Sequence, residues 1–265
     1  YLPDDQGGWV TAVPYIRYRG FPFTVPEWGG VMVVHQDGSM EDLTPEQAAE
    51  RSYLAGNRLY PKELTHWYSE SYAYRGGLLN KWFLHRNETE VVSLEGEESI
   101  LHVATTEGFK QLVVAEPYGR SYGIYRIFVF DATSGKREIL EFDQSSQLTG
   151  PVAAADYIRK EFPTYDWSLF RLSEPRPVLR SGSLSWLFSV VPADAAGIAT
   201  MAVLDAKTNQ VFQAKTAEEL RQVLAGSSPD QVRATPAEPS STELRERLDA
   251  IQRELDAAKQ LVPNQ

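Results

Sequence analysis

One hairpin occurs twice in this chain, and that repeat constrains the fold more than any single residue does. Residues 122–139 read YGIYRIFVFDATSGKREI, and residues 196–213 read AGIATMAVLDAKTNQVFQ. Aligned without gaps, Gly123/Gly197, Ile124/Ile198, Val129/Val203, Asp131/Asp205 and Ala132/Ala206 match. In both, a β-rich run ends in Asp-Ala. A polar turn follows, with Gly135 or Asn209 where the backbone can take positive φ. A repeat of this kind predicts two related α+β modules. It names no chemistry.

The elements around the repeat follow from local signals. Residues 1–30 are rich in Pro, Gly and aromatics: Trp9, Pro14, Tyr15, Tyr18, Phe21, Pro22, Phe23, Pro26 and Trp28. The alternation at Tyr15, Arg17 and Arg19 is compatible with a strand, but the prolines restrict it to an edge or an extended arm. Gly30–Val34 is a short apolar strand running into the Asp37-Gly38 turn. Residues 1–43 thus read as an aromatic, Pro-rich arm and a first hairpin.

The first module spans 44–148. Thr44, Pro45 and Gln47 announce a helix start through an N-cap, a first-turn proline and a capping box. A second helical stretch runs from Pro61 to about Tyr74, and residues 88–98 read as an acidic loop or edge. Strands are expected over 111–116, 123–130 and 137–142. The second module spans 149–225. Gly150-Pro151 opens a helix to about Phe162, with Val152, Ala155, Ile158 and Phe162 on one face. Strands near 170–172, 177–179, 185–191, 198–205 and 211–214 come next, then a short helix over 217–224. Residues 226–241 are Pro/Ser/Ala-rich and read as a linker. In 242–265, Leu244, Leu248, Ile251, Leu255, Ala258 and Val262 recur at alternating four and three, the seam of an amphipathic, coiled-coil helix.

A helix followed by an antiparallel meander resembles the PepSY domain. The residues that carry the likeness are Trp186, Val190, Val203, Asp205, Ala206, Thr208 and Asn209. Val129, Asp131, Ala132 and Gly135 are their counterparts in the first module. The likeness covers 151–214 and, more loosely, 45–142. Asn209 stands where the family pattern has Gly, which a left-handed turn tolerates. The resemblance implies a cystatin-like α+β fold and a binding or regulatory role outside the cytoplasm. The family carries no catalytic motif, so no functional residue transfers.

Composition excludes several classes. Lys+Arg of 26 against Asp+Glu of 36 gives a net charge of −10. That opposes a nucleic-acid partner and docking of the mature domain on an anionic membrane surface. With no cysteine, thiolate zinc sites, disulfides and a cysteine nucleophile are excluded. No apolar run approaches the roughly 18–20 residues of a membrane span. The chain opens at Tyr1: either a leader or anchor preceded it, or it is an excised fragment. A cleaved signal peptide leaves such a start, which points to an extracytoplasmic location.

His35, His66, His85 and His102 form no metal motif, and no nucleotide-binding or hydrolase motif occurs. No catalytic, cofactor or metal residue is assigned, and the reading leans against an enzyme. Two aromatic clusters stand out: Tyr60, Trp67, Tyr68, Tyr72, Tyr74, Trp82 and Phe83, and then Phe162, Tyr165, Trp167 and Phe170. Such residues serve either core packing or recognition. The first cluster is the candidate binding surface because its tyrosines occupy more than one helical face. Tyr60, Trp67, Tyr68, Tyr72 and Tyr74, with Leu244, Leu248, Ile251 and Leu255, are the expected partner-binding residues. The expectation is a non-enzymatic extracytoplasmic scaffold or regulator that binds a protein partner or self-associates through its C-terminal helix. A structural subunit of a larger assembly is the alternative, and a hydrolase acting on glycan or peptide through a carboxylate pair is the third.

Overall fold

Alternating side chains extend the N-terminal segment into strands, the edge alternative of the edge-or-arm reading. In the computed structural model, which describes residues 1–85, 88–94, 98–119, 123–142, 148–195 and 197–227, β1 (Leu2–Pro3), β2 (Trp9–Arg19), β3 (Val25–His35) and β4 (Met40–Leu43) form an antiparallel meander in that order. Pro14 pairs with Val31, and Pro26 with Tyr18. β1 reaches only Trp9 and Val10. From Thr11 onward one side of β2 is therefore open, and an open edge tolerates a residue without an N–H. The Asp37-Gly38 turn forms as expected, with the Gly38 amide donating to the His35 carbonyl at 3.0 Å.

This sheet covers a small core of Val10, Val31, Val33, Leu43, Ala48, Leu54 and Leu59. Short α1 (Pro45–Glu50) and a 3₁₀ turn (Ser52–Leu54) close it. The capping box is realised at both ends: the Gln47 amide donates to Thr44 Oγ1 at 3.3 Å, and the Thr44 amide to Gln47 Oε1 at 2.9 Å.

α2 (Lys62–Ser71) leads through a 3₁₀ turn (Tyr72–Tyr74) and a wide, π-type turn (Asn80–Leu84) into the central sheet. β5 (Thr89–Val91) and β6 (Ile100–Thr105) share one edge of β7 (Gly108–Pro117); β8 (Arg126–Asp131) and β9 (Arg137–Glu141) lie beyond it. The apolar run Leu112–Ala115 in β7 reflects burial on both faces. Val113 and Ala115 meet Tyr60, Leu64, Phe128 and Phe130 on the α2 side. Leu112, Val114 and Ile127 meet α3 (Pro151–Glu161) and the third sheet on the other.

That third sheet is the meander β10 (Phe170–Arg180), β11 (Ser183–Pro192), β12 (Thr200–Asp205) and β13 (Val211–Ala214), followed by α4 (Ala217–Leu224). The two short strands expected at 170–172 and 177–179 are one strand, broken by a bulge between Ser173 and Arg176. Trp186, Phe188 and Val190 pack with Ala154, Ala155 and Ile158. The fold is α+β, with three antiparallel sheets, and residues Tyr1–Gly226 pack as one unit. Most of the linker and the 242–265 segment, with Leu244, Leu248, Ile251 and Leu255, lie outside the described residues.

The sequence repeat extends to hydrogen bonds that local pattern does not encode. Asp131 Oδ1 accepts from the Thr133 and Ser134 amides; Asp205 Oδ1 accepts from those of Lys207 and Thr208. Ala132 and Ala206, both fully buried, donate to the carbonyls of Phe109 and Leu184. Their own carbonyls then receive the chain just ahead of each helix. Ala132 accepts from the Leu59 and Tyr60 amides at 2.8 and 2.7 Å, and Ala206 from the Thr149 amide at 2.7 Å. A buried side chain on the neighbouring strand completes each seat: Gln111 Nε2 donates to the Tyr60 carbonyl at 3.0 Å, and Trp186 Nε1 to the Thr149 carbonyl at 2.7 Å.

The turn residues differ for a physical reason. Gly135 sits at φ +68°, and a Cβ there would run into the Tyr60 ring. Asn209 sits at φ +59°, where its Oδ1 accepts from Thr149 Oγ1. Gly135→Ala is expected to lower unfolding stability by more than about 2 kcal/mol, from combined backbone strain and overpacking. Asn209→Gly should stay within about 1 kcal/mol of the parent. Urea unfolding of both variants checks the contrast.

Candidate functional site

α2 settles where the first aromatic cluster goes. Leu64, Tyr68 and Tyr72 are spaced by four, so they line the helical face that meets the sheet. Tyr60 is 7% exposed, stacks on Phe130 at 6.0 Å and meets Trp28 edge-on at 5.8 Å. Burial pushes its phenol well above the ordinary range. Tyr68 lies under the Arg137 guanidinium at 4.3 Å, and Tyr72 meets Phe128 edge-on at 5.2 Å. Of the five candidate residues on and around α2, Trp67 and Tyr74 are exposed, Tyr68 and Tyr72 half-buried and Tyr60 buried. The second cluster is internal packing as well: Tyr165 touches Phe162, Trp167 and Phe170 at 5.9, 5.8 and 5.1 Å between ring centroids.

Two other segments carry clusters of exposed apolar side chains. One is the tip of the β2–β3 hairpin. Phe21 and Phe23 are 97% and 86% exposed, flanked by Tyr18, Val25 and two arginines. The other is the helical turn after α2, where Leu78, Leu79, Trp82, Phe83 and Leu84 are all more than half exposed. Both lie in acid-free stretches: no Asp or Glu occurs between Asp5 and Glu27, or between Glu70 and Glu88. Across the fold, Arg17 nevertheless meets Glu27 at 3.5 Å and Lys81 pairs with Glu88.

A buried ion cluster fastens the helical turn. The Glu88 carboxylate is fully buried and accepts from Lys81 Nζ and, at 2.6 Å, from His85 Nδ1. His85 adopts φ +49° and stacks on Tyr118 at 4.1 Å. Lys81 Nζ lies over the Tyr74 and Tyr118 rings. Burial pushes the Glu88 carboxyl up, but the Lys81 and His85 hydrogen bonds outweigh it and hold the group below the ordinary carboxylate range. The expected acidic loop therefore begins with an interior anchor. Sequence reasoning missed it because the left-handed residue at 85 is what turns the chain back.

The other titratable groups have local roles. Glu41 pairs with His35 and Arg51, while Asp42 accepts from the Tyr15 hydroxyl. Glu98 pairs with Lys62 at 2.6 Å, and Glu95 and Glu97 lie outside the described residues. Among the described residues no group of three or more His, Asp or Glu side chains converges on a metal position. A cavity of about 440 Å³ is lined by Lys62, Glu63, His66, Ser93, Glu98 and Ser99. His66 Nδ1 lies 3.3 Å from Ser99 Oγ, and its Nε2 lies 3.3 Å from Glu70. His66 and Glu70 are about half exposed, so water screens this relay.

Glu116 has no such partner. It is 7% exposed, its Oε1 makes no hydrogen bond, and it abuts Gly150 at the start of α3, opposite Glu90 in the strand register. Burial and the Glu90 charge push its carboxyl to about 7 from an ordinary 4.5. A carboxyl raised on folding stabilises most below its unfolded pKa, and that stability is lost as pH rises through the folded value. Glu116→Gln should therefore raise unfolding stability above about pH 7 by up to about 3 kcal/mol. The gain should vanish below about pH 4.5. Urea midpoints measured across that window check the sign.

No helix among the described residues is long and apolar enough to cross a membrane. No protein-family model matches this chain, and neither does any curated protein or solved structure.

Proposed function

We propose that this chain is a non-enzymatic, extracytoplasmic scaffold or regulator built from two PepSY-like modules, and that it acts by binding another protein. The helix-plus-meander order, met once with α2 and once with α3, supports the module reading. The hairpin tip carries the binding reading. Arg, Tyr and Phe in one exposed patch are the residue types from which protein-binding hot spots are built. Two phenylalanines this exposed have no role in the packing of their own sheet. β2 and β3 hold the tip at the end of a two-stranded ribbon, since β4 pairs only with Val31–Val34. The C-terminal seam at Leu244, Leu248, Ile251 and Leu255 would supply self-association to the same scaffold. The hydrolase reading keeps only the water-screened Ser99–His66–Glu70 relay, which ranks it behind binding.

Site-specific photo-crosslinking tests the tip. A photoreactive residue placed at Phe21, in the cells that make the protein, should form a discrete protein adduct. Phe23→Ser in the same chain should reduce that adduct at least about tenfold. Absence of any adduct at Phe21 would sink the reading.

A further inference from the structure

The strand that closes the central sheet has no described neighbour on its outer side. β9 pairs with β8 alone, and each of its five residues is exposed. No other described strand is exposed along its whole length. Its register shows which backbone groups face outward. In an antiparallel ladder, directly opposed residues alternate between pairs that exchange both backbone hydrogen bonds and pairs that exchange none. The Asp131 amide donates to the Lys136 carbonyl at 2.7 Å, and the Phe142 amide to that of Tyr125 at 3.0 Å. In steps of two between these points, Glu138 and Leu140 are the residues bonded to β8, opposite Val129 and Ile127. The amides and carbonyls of Arg137, Ile139 and Glu141 therefore point away from β8, along the open edge.

Such an edge is commonly blunted by proline or by charge. β2 has the first device, since Pro14 offers no donor on its open side. The charges of β9 are of opposite sign and stand symmetrically about Ile139. Laid antiparallel on a second copy about a two-fold axis at Ile139, this residue meets Ile139 of the partner subunit. Arg137 then meets Glu141 of the partner subunit, and the reverse pair forms on the other side of the axis. These are the three residues whose backbone groups face outward, so all three fall in hydrogen-bonded pairs. Their side chains share the α2 face of the sheet, where Arg137 covers Tyr68 and Glu141 meets Arg126. Arg137 offers Tyr68 the face of its guanidinium, not its N–H edge. Glu141 is attended by Arg126, Arg75 and Tyr72 in its own subunit, yet its side chain is 57% exposed. A carboxylate accepts up to about four hydrogen bonds, so it has capacity for a further donor.

We propose that β9 is a self-pairing edge, by which two copies of this chain join their central sheets across a two-fold axis at Ile139. Opposite charges select this register, and pairing brings together the two Ile139 side chains, each 41% exposed in the single chain. A five-residue strand makes a small contact, so the association belongs at the weak end of protein interfaces. The contact is separate from the hairpin tip and from the seam at 242–265, and it does not rest on the PepSY-like reading.

Sedimentation equilibrium tests it, on full-length chains that all carry Leu248→Asp and Leu255→Asp so that the C-terminal seam does not contribute. This parent should dimerise at chain concentrations up to about 500 µM. Arg137→Glu alone and Glu141→Lys alone each set like charges opposite one another, and each should weaken the dimer at least about tenfold. Mixed in equal amounts, the two variants restore every opposed pair and should form a heterodimer within about threefold of the parent affinity. The chain has no cysteine, so Ile139→Cys reports the register by itself. A short thiol cross-linker should join two copies at 139, whereas Thr105→Cys, exposed on another strand, stays unlinked. A parent that remains monomeric overturns the proposal. So does a dimer that neither charge reversal weakens, or a mixture that binds no more tightly than either variant alone. If a charge reversal unfolds the chain, the cross-link decides, and its absence at 139 overturns the proposal.

Discussion

α2 and α3 are each tied to a sheet through one backbone carbonyl, and the packing of the two repeats follows from that attachment. The Ala132 and Ala206 carbonyls, both on fully buried residues, receive the chain immediately ahead of α2 and α3. An alanine there leaves room for the incoming backbone, and a buried carbonyl is costly unless paired. The Asp before each alanine organises the turn, while Gln111 and Trp186 hold the reverse side of the joint. Different side chains thus perform one task, which explains why the repeat is strong in the hairpins and faint elsewhere.

The attachment also sets the layer order. With α2 on one face of the central sheet and α3 with the third sheet on the other, β7 and β8 have no solvent face. Glu116 belongs to that buried layer and its Oε1 has no hydrogen-bond partner, so the joint near α3 is sensitive to proton binding. Glu88 is the opposite case. It too is buried, but it accepts hydrogen bonds from Lys81 and His85, and the result is a firm base for an apolar turn. Exposed apolar side chains cluster at the hairpin tip and at the turn, while Trp9, Met40, Leu169, Leu179 and Ile198 stand elsewhere on the surface.

Signals that act within a few residues were legible in the sequence. The Thr44 capping box, the Asp37-Gly38 turn, the Gly150-Pro151 helix start and the span of α4 all formed where local chemistry placed them. Pro14 and Pro26 left the N-terminus open between an edge strand and an extended arm, because the choice depends on which strands flank it, and the structure takes the edge. The aromatic cluster was partitioned by tertiary packing: Tyr60, Tyr68 and Tyr72 turn inward, and Trp82 and Phe83 outward. Only the Leu64–Tyr68–Tyr72 spacing of four carried that signal. The Glu88 cluster was invisible because its partners are brought in by a left-handed residue at 85, a conformation uncommon for any non-glycine residue and one that no local pattern places there.

Native-state hydrogen exchange at the Tyr60 and Thr149 amides tests the central claim most directly. If the two alanine carbonyls hold the helices to the sheets, both amides should exchange only through global unfolding, with the opening free energy of the slowest core amides in β7 and β11. Exchange of either amide by local opening, orders of magnitude faster than that core, would contradict the account.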